Sequence, residues 1–163
     1  MDRLAVRGAY LLSFALWATA AGAHPAIDSF VSFCFKAGQT VEQARTNMES
    51  VAGSPLSFTL TFWDKSLAPA PGTPDHAERR CAVDFAGNHG QTAMRAIQAK
   101  MARPPVFGTP IPLPAPYAAV DGTEYIEGRE LLRGRIAVVH IGTRDDRTFI
   151  AVDRLPAGMR LSE

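Results

Sequence analysis

The sequence lacks the short motifs that identify nucleotide-binding domains and serine hydrolases. It contains no Gly-x-x-x-x-Gly-Lys-Ser/Thr or Gly-x-Gly-x-x-Gly loop, no Gly-x-Ser-x-Gly turn and no Ser-x-x-Lys pair. These spacings place backbone amides around phosphates, or a serine beside its base, so the usual signals for that chemistry are missing. We therefore expect no cofactor and a function that is not enzymatic.

The sequence also lacks an excess of charge of either sign. Its 17 Lys and Arg residues against 16 Asp and Glu residues give a formal net charge of +1. Loss of residues 1–23 would remove two arginines and one aspartate, and so bring the net charge to zero. Nucleic acids and anionic membrane surfaces select basic patches. The balance predicts no nucleic-acid partner.

Long apolar runs are confined to the N-terminus, where Met1–Ala23 has the pattern of a cleavable signal peptide. Two arginines precede an uncharged apolar stretch, and Ala21-Gly22-Ala23 is a small-x-small cleavage site, with a second site ending at Ala20. A membrane anchor is the alternative, but a spanning helix needs about 20 apolar residues and this stretch is shorter. We expect cleavage, no stable membrane insertion afterwards, and a mature chain, residues 24–163, that forms one domain.

Cysteine is scarce, since Cys34 and Cys81 are the only two. In an oxidising compartment one pair is expected to form a disulfide, which would add about 3 to 4 kcal/mol of stability if unstrained. A reactive thiol or a metal ligand is the alternative, but neither cysteine lies in a Cys-x-x-Cys motif or has a neighbouring histidine. Arginine outnumbers lysine, and Ala, Gly and Pro are abundant, as is typical of GC-rich bacterial genomes; we therefore expect a periplasmic or secreted protein.

Apolar spacing predicts three helices. The first begins at Pro25, the second spans 41–52 with a capping box that begins at Thr40, and the third spans about 90–102 with Asn88 as its N-cap. The side chains expected to be buried are Ile27, Phe30, Val31 and Cys34 in the first helix, Val41, Ala44, Met48 and Val51 in the second, and Met94, Ile97 and Met101 in the third.

Alternation of apolar and polar residues predicts four strands and a shorter fifth. The clearest spans Ser57–Asp64, in which Phe58, Leu60 and Phe62 share one face. The others are Cys81–Phe85, Arg135–Gly142, Thr148–Asp153 and the short Thr123–Ile126. Residues 65–79 are predicted to be a loop. Cys81 shares a strand face with apolar residues, so its sulfur should point towards the first helix.

Residues 103–117 contain six prolines, which excludes a helix or a central strand. We expect a stiff crossover that packs on the domain through Val106, Phe107 and Leu113. A polyproline surface that binds a partner is the alternative.

Together these elements predict an α+β fold. Two N-terminal helices and a third helix pack on one face of a four- to five-stranded, mainly antiparallel sheet. One disulfide, Cys34–Cys81, joins the first helix to the second strand. The pattern does not specify the strand order.

Four histidines, His24, His76, His89 and His140, have none of the spacings typical of metal sites. Cleavage after Ala23 would make His24 the N-terminal residue, so that its α-amine and imidazole could chelate Cu(II). This arrangement resembles the histidine brace of copper proteins, which needs a second imidazole from one of the other three. His24 is therefore the predicted metal ligand, whereas His76 and His89 are expected at the surface and His140 in or near the core.

Several polar or aromatic residues have ordinary structural interpretations. Asp64, Asp84 and the Arg79-Arg80 pair are expected to be solvated, although the two arginines could bind an anion. Trp63 faces away from Phe58, and we expect it to be covered by another element; a ligand-binding surface is the alternative.

These observations leave three functional hypotheses. The leading one is a non-enzymatic periplasmic binding or accessory domain whose partner is a protein or a small ligand. The second is copper binding through His24. The third is a hydrolase of cell-envelope material, which would require Asp64, Asp84, His89 or His140 to meet around one cleft.

Overall fold

The computed structural model of the chain describes residues 24–68, 76–103, 107–115, 117–157 and 159. The predicted signal peptide, with both of its cleavage sites, lies outside the described residues, and so does Val106. None of the described helices combines the length and the apolar character that crossing a bilayer requires.

Three helices and six strands follow one another along the described residues. In chain order they are α1 (Pro25–Ser29), which continues as a π-helical stretch (Phe30–Cys34), α2 (Val41–Ala52), β1 (Thr59–Asp64), β2 (Arg79–Ala86), α3 (Gly90–Met101), β3 (Phe107–Ile111), β4 (Thr123–Leu131), β5 (Ile136–Arg144) and β6 (Arg147–Leu155). A 3-10 turn (Leu132–Gly134) joins β4 to β5. The α+β prediction is confirmed, with more strands than the four to five expected.

The six strands form one antiparallel sheet in the order β1-β2-β6-β5-β4-β3. The additional strand, β3, lies within the proline-rich segment and pairs only with β4. Pro110 has no amide hydrogen to donate, and the pairing register shifts between Phe107 and Pro110. A proline-containing strand is tolerated at a sheet edge, which is where β3 lies.

One face of the sheet carries the helices and the main core. Alternation along each strand turns side chains of β2, β5 and β6 towards the first helix and α3. The largest fully buried members of this core are Ile27, Phe30, Met48, Val83, Phe85, Ile97, Met101, Val139, Ile141 and Ile150. The helices therefore cover this face of the sheet.

Two details of the helix predictions were wrong. Val41 and Val51 are 42% and 52% exposed, because α2 buries only the narrow stripe of Ala44 and Met48 against the first helix and β1. The N-cap of α3 is His89, and Asn88 makes no capping bond to the helix. The backbone amide of His89 instead donates to Thr148 Oγ1 at 2.8 Å, which ties this turn to β6.

The opposite face of the sheet carries a smaller apolar cluster. Its buried members are Ala77, Ile136, Val138 and Leu155, and Trp63, Ile111, Leu113, Tyr117, Ile126 and Met159 pack against them. The end of the proline-rich segment thus packs on this face, where Trp63 is also partly buried.

The Cys34–Cys81 disulfide joins the end of the first helix to β2, as predicted. Both cysteines are buried, at 2% and 1% exposure, and they are separated by 47 residues in sequence. Closing a loop of this length restricts the unfolded chain and adds about 4 kcal/mol to the free energy of unfolding. The end of the first helix is therefore fixed against one end of the sheet.

Candidate functional site

A pocket of about 300 Å³ lies on the helix-covered face, where the first helix ends beside the adjoining ends of β2, β5 and β6. Its lining combines three arginines with a wall of apolar side chains: Cys34, Phe35, Ala37, Arg79, Phe107, Leu131, Leu132, Arg135, Ala137, Val152 and Arg154. We call it the arginine pocket. Its volume lies at the lower end of the range for small-molecule sites.

The register of the sheet brings the three arginines together. Arg79 at the start of β2 faces Arg154 near the end of β6, and Arg154 faces Ala137 on β5. Side chains two positions apart on a strand share a face, so Arg135 lies on the same side as Ala137. Three cations from three chain segments therefore meet at one end of the helix-covered face.

Arg154 is compensated by carboxylates. Its Nη2 donates to both oxygens of Asp64, at 3.1 and 3.2 Å, and its Nε lies 3.5 Å from Glu78 Oε2. The backbone amide of Ser66 donates to Asp64 Oδ1 at 3.0 Å. Asp64 therefore serves both the turn that follows β1 and one arginine of the pocket.

Arg79 is buried with fewer partners. It is 4% exposed; its Nη2 donates to the Cys34 carbonyl at 3.3 Å, and its Nε is 4.0 Å from Asp64 Oδ2. That Nε has no hydrogen-bond acceptor among the described residues. Burial lowers the pKa of Arg79 to about 10, and Arg154 acts in the same direction while Asp64 opposes it. The group stays charged at neutral pH in a site that disfavours the charge.

Arg135 is the least compensated of the three. It is half-buried beside the 3-10 turn, and its guanidinium makes no hydrogen bond or ion pair with any residue in the described part of the chain. A guanidinium carries five N–H donors in a planar fork that matches a carboxylate. Arg135 therefore brings to the pocket hydrogen-bond donors that have no acceptor among the described residues.

The remaining wall of the arginine pocket is apolar. Phe35 and Phe107 meet edge to face with ring centres 5.0 Å apart, and Phe35 meets Phe30 of the core in the same way at 5.5 Å. Leu132 lines the pocket although it is 63% exposed. This wall offers contact area to an apolar group and no acceptor to a cation.

The sequence interpretation of Asp64 and of the Arg79-Arg80 pair as solvated was wrong. Asp64 and Arg79 are each 4% exposed, and Arg80 pairs with Asp153 on the opposite face of the sheet. The reason is that β2 begins at Arg79, two residues earlier than predicted, so both arginines belong to a paired strand and not to a loop edge.

On the opposite face, Arg80, Asp153, Tyr117 and His140 form a second polar cluster. Arg80 donates to the fully buried Asp153 through Nε and Nη2, at 2.7 and 2.5 Å, and the Tyr117 hydroxyl donates to it at 2.9 Å. His140 is also buried, with its Nε2 3.9 Å from Asp153. Burial lowers the pKa of His140, while Asp153 opposes this shift. The cluster holds Tyr117, and with it the end of the proline-rich segment, on the sheet.

Two of the four histidines lie side by side. The His24 ring stacks on Phe85, with centres 4.3 Å apart, and lies 5.1 Å from the His89 ring. Nδ1 of His24 accepts a hydrogen bond from the Ala26 amide at 3.2 Å. Burial lowers the pKa of His24, and His89 acts in the same direction while Asp28 opposes it. His89 is therefore the imidazole that the fold places next to His24.

The other two histidines lie near Tyr117. The ring centres of His76 and His140 are 5.0 and 5.4 Å from that of Tyr117, so His76 is packed against an aromatic ring where solvation was expected. No group of three or more His, Cys, Asp or Glu side chains that could hold a metal ion occurs within residues 24–68, 76–103, 107–115, 117–157 and 159.

The residues proposed for a hydrolase do not meet around one cleft. Asp64 joins the arginine pocket, Asp84 pairs with Arg147 at the other end of β2, and His140 belongs to the Tyr117 cluster. His89 packs against Phe85. These four side chains occupy separate surroundings.

Comparison with known proteins was made at the level of family models, curated proteins and solved structures. No match was found in any of them. The arginine pocket is therefore interpreted from its own geometry and charge.

Sequence reasoning noted that Arg79-Arg80 could bind an anion but missed Arg135, Arg154 and the apolar wall. A local signal existed only for the first pair. Arg154 and Asp64 are 90 residues apart, and Arg79 and Cys34 are 45 apart, so the site depends on strand pairing that no short window contains.

Proposed function

We propose that this chain is an exported, non-enzymatic binding protein that holds a small ligand in the arginine pocket. The observation that carries the proposal is the pocket itself, which combines a concave apolar wall with convergent polar groups. Ligand sites in proteins have this composition. Its volume suits a small molecule and not a peptide segment.

The chemistry of the lining favours binding over catalysis. The polar groups facing the pocket are guanidiniums, which remain protonated in proteins and cannot act as general bases near neutral pH. The nearest carboxylate, Asp64, is held by Ser66 and Arg154. Such groups can fix and orient a ligand, but they supply no proton acceptor or nucleophile.

Export to the periplasm is part of this proposal. It rests on the signal-peptide pattern of residues 1–23 and is supported by the Cys34–Cys81 disulfide, because disulfides persist mainly in oxidising compartments.

The test is a ligand screen read by amide NMR, with one variant that fills the pocket. Ala37 lines the pocket and is exposed, so Ala37→Trp should obstruct it without disturbing the core. Ala86→Trp is the matched control, because Ala86 is also exposed but lies at the far end of β2. We expect small amphipathic compounds to shift resonances around the pocket in the wild type and in Ala86→Trp, and not in Ala37→Trp. Equal shifts in all three proteins would contradict the proposal.

A second candidate function, copper binding, is favoured by the contact between His24 and His89. Two imidazoles with ring centres 5.1 Å apart are close enough to share one ion if their nitrogens converge. Chelation through Nδ1 of His24 and the α-amine would first break the hydrogen bond from Ala26. Copper would therefore compete with the cap of the first helix.

Copper binding is tested on protein whose first residue is His24, established by mass spectrometry. The proposal expects a Cu(II) electron paramagnetic resonance signal with nitrogen couplings that is lost in His24→Ala and weakened in His89→Ala. A signal unchanged in His89→Ala would exclude the pair as a shared site, and a mature N-terminus at Ala21 would exclude the chelate altogether.

A further inference from the structure

The charges around the arginine pocket do not balance. Among the residues that the structure describes, three guanidiniums, of Arg79, Arg135 and Arg154, face two carboxylates, of Asp64 and Glu78. Three positive charges less two negative charges leave one positive charge. The Glu78 side chain is 40% exposed, so its compensation is further weakened by solvent. One added negative charge would complete the balance.

The three arginines of the pocket differ in how many of their N–H donors are hydrogen-bonded. Arg154 is bound through Nη2 to both oxygens of Asp64, whereas Arg79 has one hydrogen bond and Arg135 has none to the described residues. Arg79 is nine-tenths buried or more, so its N–H donors without acceptors carry a desolvation penalty that lowers stability. The site therefore has a built cationic end that lacks an acceptor.

The size of the pocket limits the rest of the ligand. At about 30 Å³ for each water-sized group, a volume of about 300 Å³ holds about ten such groups. A carboxylate takes up about three of these, which leaves space for a short apolar chain along Phe35, Phe107 and Leu132. Leu132 is 63% exposed, so a bound chain would also cover apolar surface that now faces solvent.

We propose that the arginine pocket binds a monoanionic amphiphile, namely a carboxylate on an apolar chain of about seven carbons. This inference rests on the proposed function and names its ligand class. The planar fork of Arg135 matches a carboxylate in geometry, and a single negative charge matches the one positive charge left over. A phosphate monoester carries about −1.5 to −2 charges at neutral pH and would overcompensate the site.

The test is calorimetric titration with four probes that separate head from tail. Octanoate has both parts, acetate lacks the tail, 1-octanol lacks the charge, and octyl phosphate carries the larger charge. We expect octanoate to bind at least about tenfold more tightly than each of the others, a difference of about 1.4 kcal/mol.

Arg135→Gln supplies the decisive variant, because Arg135 has no partner in the described fold to lose. It should lower the affinity for octanoate at least about tenfold and leave that for 1-octanol unchanged. Arg133→Gln is the matched control: it makes the same charge change two residues away, and Arg133 does not line the pocket. Its affinity for octanoate should stay within about twofold of the wild-type value.

Three results would overturn the inference, and they have different consequences. Equal affinity for octanoate and 1-octanol would show an apolar pocket with no role for the carboxylate, so the ligand class would be wrong and the binding function would stand. Tighter binding of octyl phosphate would identify a dianionic head. Absence of binding by all four probes, together with no pocket shifts in the ligand screen, would overturn the binding function as well.

Discussion

Arg79 and Arg80 are neighbours in sequence, yet they lie on opposite faces of the sheet and differ in how well their guanidiniums are paired. Arg80 forms a two-pronged pair with the fully buried Asp153, which also accepts from Tyr117. Arg79, on the helix-covered face, is buried at 4% exposure with one hydrogen bond and a carboxylate 4.0 Å away. The guanidinium of Arg80 is fully paired with a carboxylate, whereas that of Arg79 is not.

This difference separates a structural cation from a binding cation. A buried ion pair whose groups are all bonded stabilises one arrangement of the chain, and breaking it is costly. A buried cation without enough counter-charge stabilises nothing by itself, but it can be completed by an incoming anion. Substitutions at the two arginines should therefore change different quantities.

A large loss of stability is expected for Arg80→Met. Removal of this guanidinium leaves the Asp153 carboxylate buried with only Tyr117 as donor, and breaking a partly buried pair of this kind costs about 3 kcal/mol. Urea denaturation should show the loss, whereas the affinity for octanoate should be unchanged. A fall in affinity without a fall in stability would reverse the roles that we assign to the two faces.

Arg79→Met should have the opposite profile. Because the buried guanidinium has already lost its hydration and is poorly paired, its replacement by an apolar side chain should leave the free energy of unfolding within about 1 kcal/mol of wild type. Octanoate affinity should fall at least about tenfold. Destabilisation as large as that of Arg80→Met, measured by the same urea titration, would show that Arg79 is structural too.

Acidification should weaken the polar cluster around Asp153 through His140. The folded protein holds the pKa of His140 below its ordinary value, chiefly through burial. The neutral imidazole therefore contributes stability that is present above about pH 6.5 and is lost as the pH falls through the lowered folded value.

Urea midpoints measured between about pH 8 and about pH 5 should fall more steeply for the wild type than for His140→Gln. His24, whose pKa is also lowered, should cause a further loss of stability on acidification in both proteins. Parallel curves for the two proteins would remove His140 as the source.

The smallest effect is expected for Val51→Ser on α2, a helix with one exposed and one buried face. Val51 is 52% exposed and Met48 is fully buried. Val51→Ser should change stability by less than about 0.5 kcal/mol, whereas Met48→Ala should cost about 2 to 5 kcal/mol. Similar losses at both positions would indicate that α2 packs more deeply than the structure shows.

The fold was predictable where a local repeat was strong. Phe58, Leu60 and Phe62 alternate, Ile27 and Phe30 recur at helical spacing, and the lone pair of cysteines forms a disulfide; all three features are present. The strand β3 was missed because its prolines mask a β pattern that the edge of a sheet tolerates.

The candidate site was predictable only in part, because it is assembled from distant segments. Charged residues in a proline-rich neighbourhood usually face solvent, and nothing near Arg79 indicates that Arg154 will lie opposite it on the adjacent strand. The contact between His24 and His89 is likewise formed by distant segments, because 65 positions separate the two residues in sequence. Contacts between segments that are distant in sequence, and not local spacing, form both sites.

Cys34 has two roles in this molecule, since it is one end of the cross-link and also a wall of the arginine pocket. The oxidation state of the two cysteines therefore determines how rigidly this wall of the arginine pocket is held. With both thiols reduced, the last turn of the first helix would be held by packing and by the hydrogen bond from Arg79 to the Cys34 carbonyl, and we expect the wall formed by Cys34 and Phe35 to become less rigid. On the proposed function, a newly made chain would bind its ligand poorly while the two cysteines are reduced, and well only after the cross-link has formed.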